Sequence, residues 1–126
     1  MKTAKTACLA GFTLVEIMIV VSIIGLLAAI AIPSFVHARA KSQATACINN
    51  MRQIETAVQE VAIEKGKHVG DSLTYPDDVT PYIRLNSNNK IPGCPAGGDY
   101  SLANVGTIPQ AQCSLGSSVN PPHILP

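Results

Sequence analysis

The chain has no tryptophan, and aromatic residues make up only 4% of it. Charged residues are scarce too, at 13%, with a formal balance of +1. With so few large apolar side chains, 126 residues can supply one small domain and little more. The near-neutral balance excludes the basic footprint of a nucleic-acid binder. No CxxC or HxxxH spacing occurs, so no metal centre is legible and none is expected. The histidines are scattered, and no serine or cysteine stands in a recognisable nucleophile elbow. The expectation is a chain that is neither an enzyme nor a cofactor carrier. No internal repeat is visible.

What the chain does have is apolar length. Hydrophobic residues reach 47%, and much of that total lies in residues 12–36. From Ile17 to Val36 no residue is charged, and the only polar or helix-weakening members are Ser22, Gly25, Pro33 and Ser34. As a helix this stretch is roughly 30 Å long, the hydrocarbon thickness of a bilayer. Glu16 sits at its lip. A charge at the centre of a spanning helix costs roughly 2.5–3.5 kcal/mol, so such a residue usually has a partner and a task; otherwise it snorkels to the headgroups. Ser22, Gly25 and Ala29 have the spacing of small residues that lets helices approach closely in lipid, although such residues are also common in any membrane helix. Pro33 lacks an N–H and predicts a kink or local melting.

Two other membrane signals fit less well. A secretory signal would use Lys2 and Lys5 as its basic region and Ala29-Ile30-Ala31 as its cleavage site, but its apolar core would be too long. A lipoprotein signal at Cys8 has no apolar stretch ahead of it. Lys2 and Lys5 before the span nearly balance Arg39 and Lys41 after it, so charge alone does not orient the helix. His37 beside Arg39 reads as an interface flank.

Beyond Pro33 the pattern turns amphipathic. Ala44, Cys47, Ile48, Met51, Ile54, Val58, Val61 and Ala62 recur three and four apart, with polar residues on the other faces. One helix is therefore expected from residue 12 to about 65, ended by Gly66 and Gly70. A short helix is predicted to start at Thr74 or Tyr75, with Val79, Tyr82 and Ile83 on its buried side. Residues 86–89 read as a turn, 91–98 as irregular chain, 100–105 as a strand, and a second strand is expected to include residues 113–115.

Gly11 followed by Phe12-Thr13-Leu14-Val15-Glu16, an unbroken apolar run and Pro33 resembles the signal of type IV pilins and the pseudopilins of type II secretion. The resemblance covers residues 11 to about 35 and implies several things together. Residues 1–11 would be a leader cut between Gly11 and Phe12 by a prepilin peptidase, which also N-methylates Phe12. Residues 12–36 would be the transmembrane and filament-core helix, and 37–126 the head, periplasmic or extracellular, including the amphipathic half of the helix. The implied fold is α+β, a pilin-like lollipop whose helix bends at Pro33 and whose head holds a short helix and antiparallel strands.

In that family Glu16 of one subunit pairs with the Phe12 amine of a neighbour during assembly. Partners would be the peptidase, identical or related subunits, an inner-membrane assembly platform and lipid. The N-terminus would be cytoplasmic, the span in the inner membrane, and the filament periplasmic or extracellular. The short head suggests a secretion pseudopilin; a pilus or DNA-uptake subunit is the alternative. From another class, a membrane-anchored binding module that never polymerises is a third.

Cys94 and Cys113 are expected to form a disulfide, closing a loop of about twenty residues worth roughly 3 kcal/mol, and the family resemblance points the same way. Cys47 pairing with either remains open, and its simplest role is that of a small buried hydrophobe. A metal site from Cys94, Cys113, His123 and either Cys47 or His68 has no supporting spacing. Asp71, Asp77, Asp78 and Asp99 fit no calcium loop and read as caps and turns.

Overall fold

The computed structural model describes residues 11–126. Residues 1–10, expected to belong to a leader, lie outside the described residues. The chain separates into two compact units, one ending at Val36 and the other spanning His37–Pro126.

A single helix, α1, runs from Leu14 to Glu64, close to the expected bounds. It begins on a cap. Thr13 Oγ1 accepts the Glu16 N–H at 3.2 Å, satisfying one of the donors that a helix start leaves orphaned. Glu16 stands in the first turn, where the helix dipole favours an anion. α1 passes through Pro33 without interruption, so the proline does not melt it locally. Ser22 donates back to the Met18 carbonyl at 2.8 Å, which satisfies a hydroxyl inside an apolar stretch.

α1 ends in a Schellman motif. Gly66 adopts φ +59°, Lys67 N–H reaches the Ala62 carbonyl at 2.8 Å, and Gly66 N–H reaches that of Ile63 at 3.4 Å. A side chain at residue 66 would be strained at that φ, which is why glycine stops the helix here.

In the second unit, the amphipathic face of α1 is one wall of the core. Ala44, Cys47, Met51, Ile54, Val58 and Val61 are buried as expected, Ala57 joins them, and Ile48 and Ala62 are half-buried. Opposite them stand β1 (Tyr100–Leu102) and β2 (Ala111–Cys113), an antiparallel pair with Tyr100 opposite Cys113 and Leu102 opposite Ala111. Alternation sends Tyr100, Ala111 and Cys113 inward. Glu55 ties helix to hairpin, its Oε1 accepting the Gln110 N–H at 3.0 Å.

Three expectations need correction. The first strand stops at Leu102 and not at Val105, because the chain turns at Val105 and Gly106. The second strand lies earlier than predicted: Ser114 pairs with Asp99, and the chain then turns at Leu115 and Gly116. The predicted short helix is a turn followed by a 3-10 turn at Thr80–Tyr82. There Asp78 does not face a helix dipole; its carboxylate accepts the Thr74 N–H at 2.8 Å and pairs with Lys65 at 2.6 Å. The buried side still comes from Val79 and Ile83, with Tyr82 half-buried. Residues 86–90 form a tight turn in which Asn86 Oδ1 accepts the N–H groups of Asn88 and Lys90.

Candidate functional site

The first site is the N-terminal half of α1. An apolar window within this helix has a mean hydropathy of 2.8 and buries none of its residues. Phe12 is 81% exposed, and Leu14, Ile24, Ile30 and Phe35 are likewise bare. Apolar surface on this scale is unfavourable in water, so the helix requires lipid or other chains around it. An apolar N-terminal helix of this kind is long and apolar enough to cross a membrane, which is consistent with membrane anchoring. Glu16 is exposed at its start, and Phe12 lies one turn ahead. No Cβ at Gly25 would meet another atom within 4 Å, so that face of the helix is open.

The Thr13 cap was not anticipated. Its signal is in the sequence, because Thr-x-x-Glu is the capping-box pattern. The bond uses the Glu16 backbone N–H and makes no demand on its carboxylate.

The second site lies in the head, and local spacing does not reveal it. Cys47 from α1, Cys94 from the loop before β1, Cys113 from β2 and His123 from the C-terminal segment bring their ligand atoms within 4.8 Å of one another. All four are buried. Cys94 Sγ lies 3.2 Å from His123 Nδ1. Cys94 and Cys113, expected to form a disulfide, are free thiols here, as is Cys47.

The surroundings of the cluster are built to the sulfurs. The Tyr100 hydroxyl donates to Cys47 Sγ at 3.5 Å and accepts from Asn50 Nδ2 at 3.3 Å, and Asn50 Nδ2 also reaches the Gly93 carbonyl at 3.1 Å. Burial pushes the Cys47 thiol up to about 12, against the Tyr100 hydrogen bond. At Cys94 burial acts in the same direction, but the N–H groups of Gly98 and Ala96 outweigh it and hold this thiol below its ordinary range. The turn carrying them is closed by Gly97 N–H to the Cys94 carbonyl at 2.9 Å.

Of the four acids considered for calcium, two are engaged elsewhere. Asp71 caps the His68 N–H, and Asp78 is held by Thr74 and Lys65. An open groove of about 530 Å³ lies between Glu55, Ile63 and Ile108. Its one acid, Glu55, is committed to the Gln110 amide, so the groove offers no free acid–base group.

Comparison with known proteins finds partial similarities. The family described as the prokaryotic N-terminal methylation motif matches residues 10–32. The chain is 48% identical over 67 residues to a fimbrial protein of Pseudomonas aeruginosa, covering 53% of this chain and 43% of that one. It is 47% identical over 58 residues to the type IV major pilin protein PilA of Myxococcus xanthus, covering 46% of this chain and 26% of the relative. With the type IV major fimbrial protein FimA of Dichelobacter nodosus the identity is 46% over 61 residues, covering 48% and 38%. The chain thus spans less than half the length of these curated relatives. No solved structure matches.

Proposed function

We propose that this chain, whose residues 10–32 match the methylation motif and whose sequence is 48% identical to a fimbrial protein over 67 residues, is a member of the type IV pilin/pseudopilin family, processed and polymerised as a structural filament subunit. Cleavage between Gly11 and Phe12 by a prepilin peptidase frees the Phe12 amine, which is then N-methylated. The N-terminus is cytoplasmic, the helix crosses the inner membrane and the head is periplasmic. An inner-membrane assembly platform draws subunits from the lipid into a filament whose core is residues 12–36. There the exposed apolar surface of neighbouring helices is buried mutually. Pro33 leaves the Ala29 carbonyl without its helical donor, and we place a bend there.

The observation that carries this reading is a fully exposed apolar helix with one carboxylate in its first turn, under the matched motif. A buried carboxylate is tolerated when paired, and the Phe12 amine of a neighbour supplies the opposite charge. Glu16→Gln tests this. The variant keeps the capped helix start and should insert and be cleaved normally, yet fail to enter filaments. Normal filaments from this variant, or an uncut precursor in the wild type, would refute the pairing.

The relatives are named as fimbrial and pilin subunits, which supports a pilus over the secretion filament that the short head suggests. Mechanical shearing separates the two. Release of an extracellular polymer marks a pilus, whereas a periplasmic-length filament with a secretion defect on deletion marks a pseudopilin. A strictly monomeric, uncleaved membrane protein would instead mark an anchored binding module.

A further inference from the structure

We propose that Cys47, Cys94, Cys113 and His123 form a tetrahedral zinc site that holds the head together. Their ligand atoms lie within 4.8 Å of one another. Zinc–sulfur bonds of about 2.3 Å place tetrahedral donors roughly 3.8 Å apart, so contraction around an ion requires side-chain adjustments and no rearrangement of the chain. Three soft thiolates and an imidazole are a donor set selective for zinc among the common divalent ions. On binding, the three thiols release their protons to solvent and form three S–Zn bonds. His123 contributes the Nδ1 lone pair, its remaining proton residing on Nε2.

A disulfide accounts for less of what is present. Joining Cys94 to Cys113 leaves unexplained why a third thiol and a buried imidazole, 0% and 3% exposed, converge on the same point. The turn after Cys94 is closed by the Gly97 N–H on the Cys94 carbonyl at 2.9 Å. Gly98 has no room for a side chain: a Cβ there would stand 2.6 Å from Cys113 Sγ. Tyr100 donates to Cys47 and is itself held by Asn50, the kind of outer support that orients metal ligands.

The four ligands come from the helix, a loop, a strand and the C-terminal segment. One ion would therefore tie the helix to the hairpin, its preceding loop and the C-terminal segment in a head with a small core. Once bound, the thiolates are withdrawn from exchange, so the same residues cannot be zinc ligands and a disulfide at once.

The test is elemental analysis of the full chain, extracted in detergent without chelators, alongside thiol counting and non-reducing mass mapping. One zinc per chain is expected, with Cys47, Cys94 and Cys113 unreactive until a chelator is added. Cys47→Ser and His123→Ala should each lose most of the bound zinc, although a Cys94–Cys113 disulfide would need neither residue. Because either variant can also loosen the head, cobalt substitution of the wild type gives a second reading. It should produce the intense thiolate-to-cobalt absorption of a tetrahedral sulfur-rich site. A zinc-free chain carrying a Cys94–Cys113 disulfide, which after reduction binds neither zinc nor cobalt, would overturn the proposal. Zinc retained equally by wild type and both variants would do the same.

Discussion

Ile54 and Ile63 lie on the same helix and differ only in the face they occupy. Ile54 is 0% exposed within the core, whereas Ile63 is 84% exposed. Truncating Ile54 to alanine removes three buried carbons, a transfer loss of roughly 2–2.5 kcal/mol at about 0.8 kcal/mol each. The cavity left against the hairpin adds to this, giving a total of about 3–4 kcal/mol. Ile63→Ala removes the same atoms from water and gains a few tenths of a kcal/mol in helix propensity, so it should fall within about 0.5 kcal/mol of the wild type. The assay needs a signal confined to the head, and the chain provides one. Its tyrosines, Tyr75, Tyr82 and Tyr100, all lie there, and there is no tryptophan. Thermal unfolding in detergent followed by tyrosine fluorescence should show a midpoint lowered by on the order of 10–30 °C for Ile54→Ala and almost unchanged for Ile63→Ala. Equal shifts for the two variants would refute the assignment of the buried face.

Other outcomes follow from single contacts. Gly98→Ala places its Cβ against Cys113 Sγ and Leu115 Cγ, at 2.6 and 3.0 Å before relaxation. Overpacking of about 1–3 kcal/mol should exceed the gain of up to about 1 kcal/mol from restricting the unfolded chain, and the same fluorescence melt checks it. Asp78 is held below the ordinary carboxylate range, first by the hydrogen bond from Lys65 and then by the Thr74 N–H. Its contribution to stability is therefore present above the unfolded-state value and is lost as pH falls through the lowered one. Asp78→Asn should flatten the acid limb of the stability–pH curve while leaving the wild-type slope above pH 6 unchanged.

Elements with a local cause could be read in the sequence. The apolar run, the period of Ala44 to Val61 and the stop at Gly66 each follow from side chains a few residues apart, and each is found. Glu16 and its motif were legible for the same reason. The short helix at Thr74 was not, because Asp78 turns its carboxylate back to Thr74 and across to Lys65, contacts that no local propensity encodes. The second strand ended early because the chain turns back after Cys113, the Gly116 N–H reaching the Cys113 carbonyl at 2.9 Å. The sulfur cluster was the least visible. Its ligands come from four separated segments, and spacing rules detect metal sites only when ligands share a turn or a knuckle. The one local trace was the glycine-rich turn after Cys94, which looks irregular until the sulfur it surrounds is seen.

The amphipathic half of α1 has a further consequence for the order of events in synthesis. A nascent chain delivers residues 44–61 before any of the hairpin. The earliest part of the head to exist is thus a preformed wall whose apolar side has nothing yet to cover it. The strands and the C-terminal segment do not build a core of their own; they close over one already laid down. Damage to that wall should therefore be felt as failure of the whole head to mature, while damage to the later segments should leave an intact anchor carrying an unfinished cap.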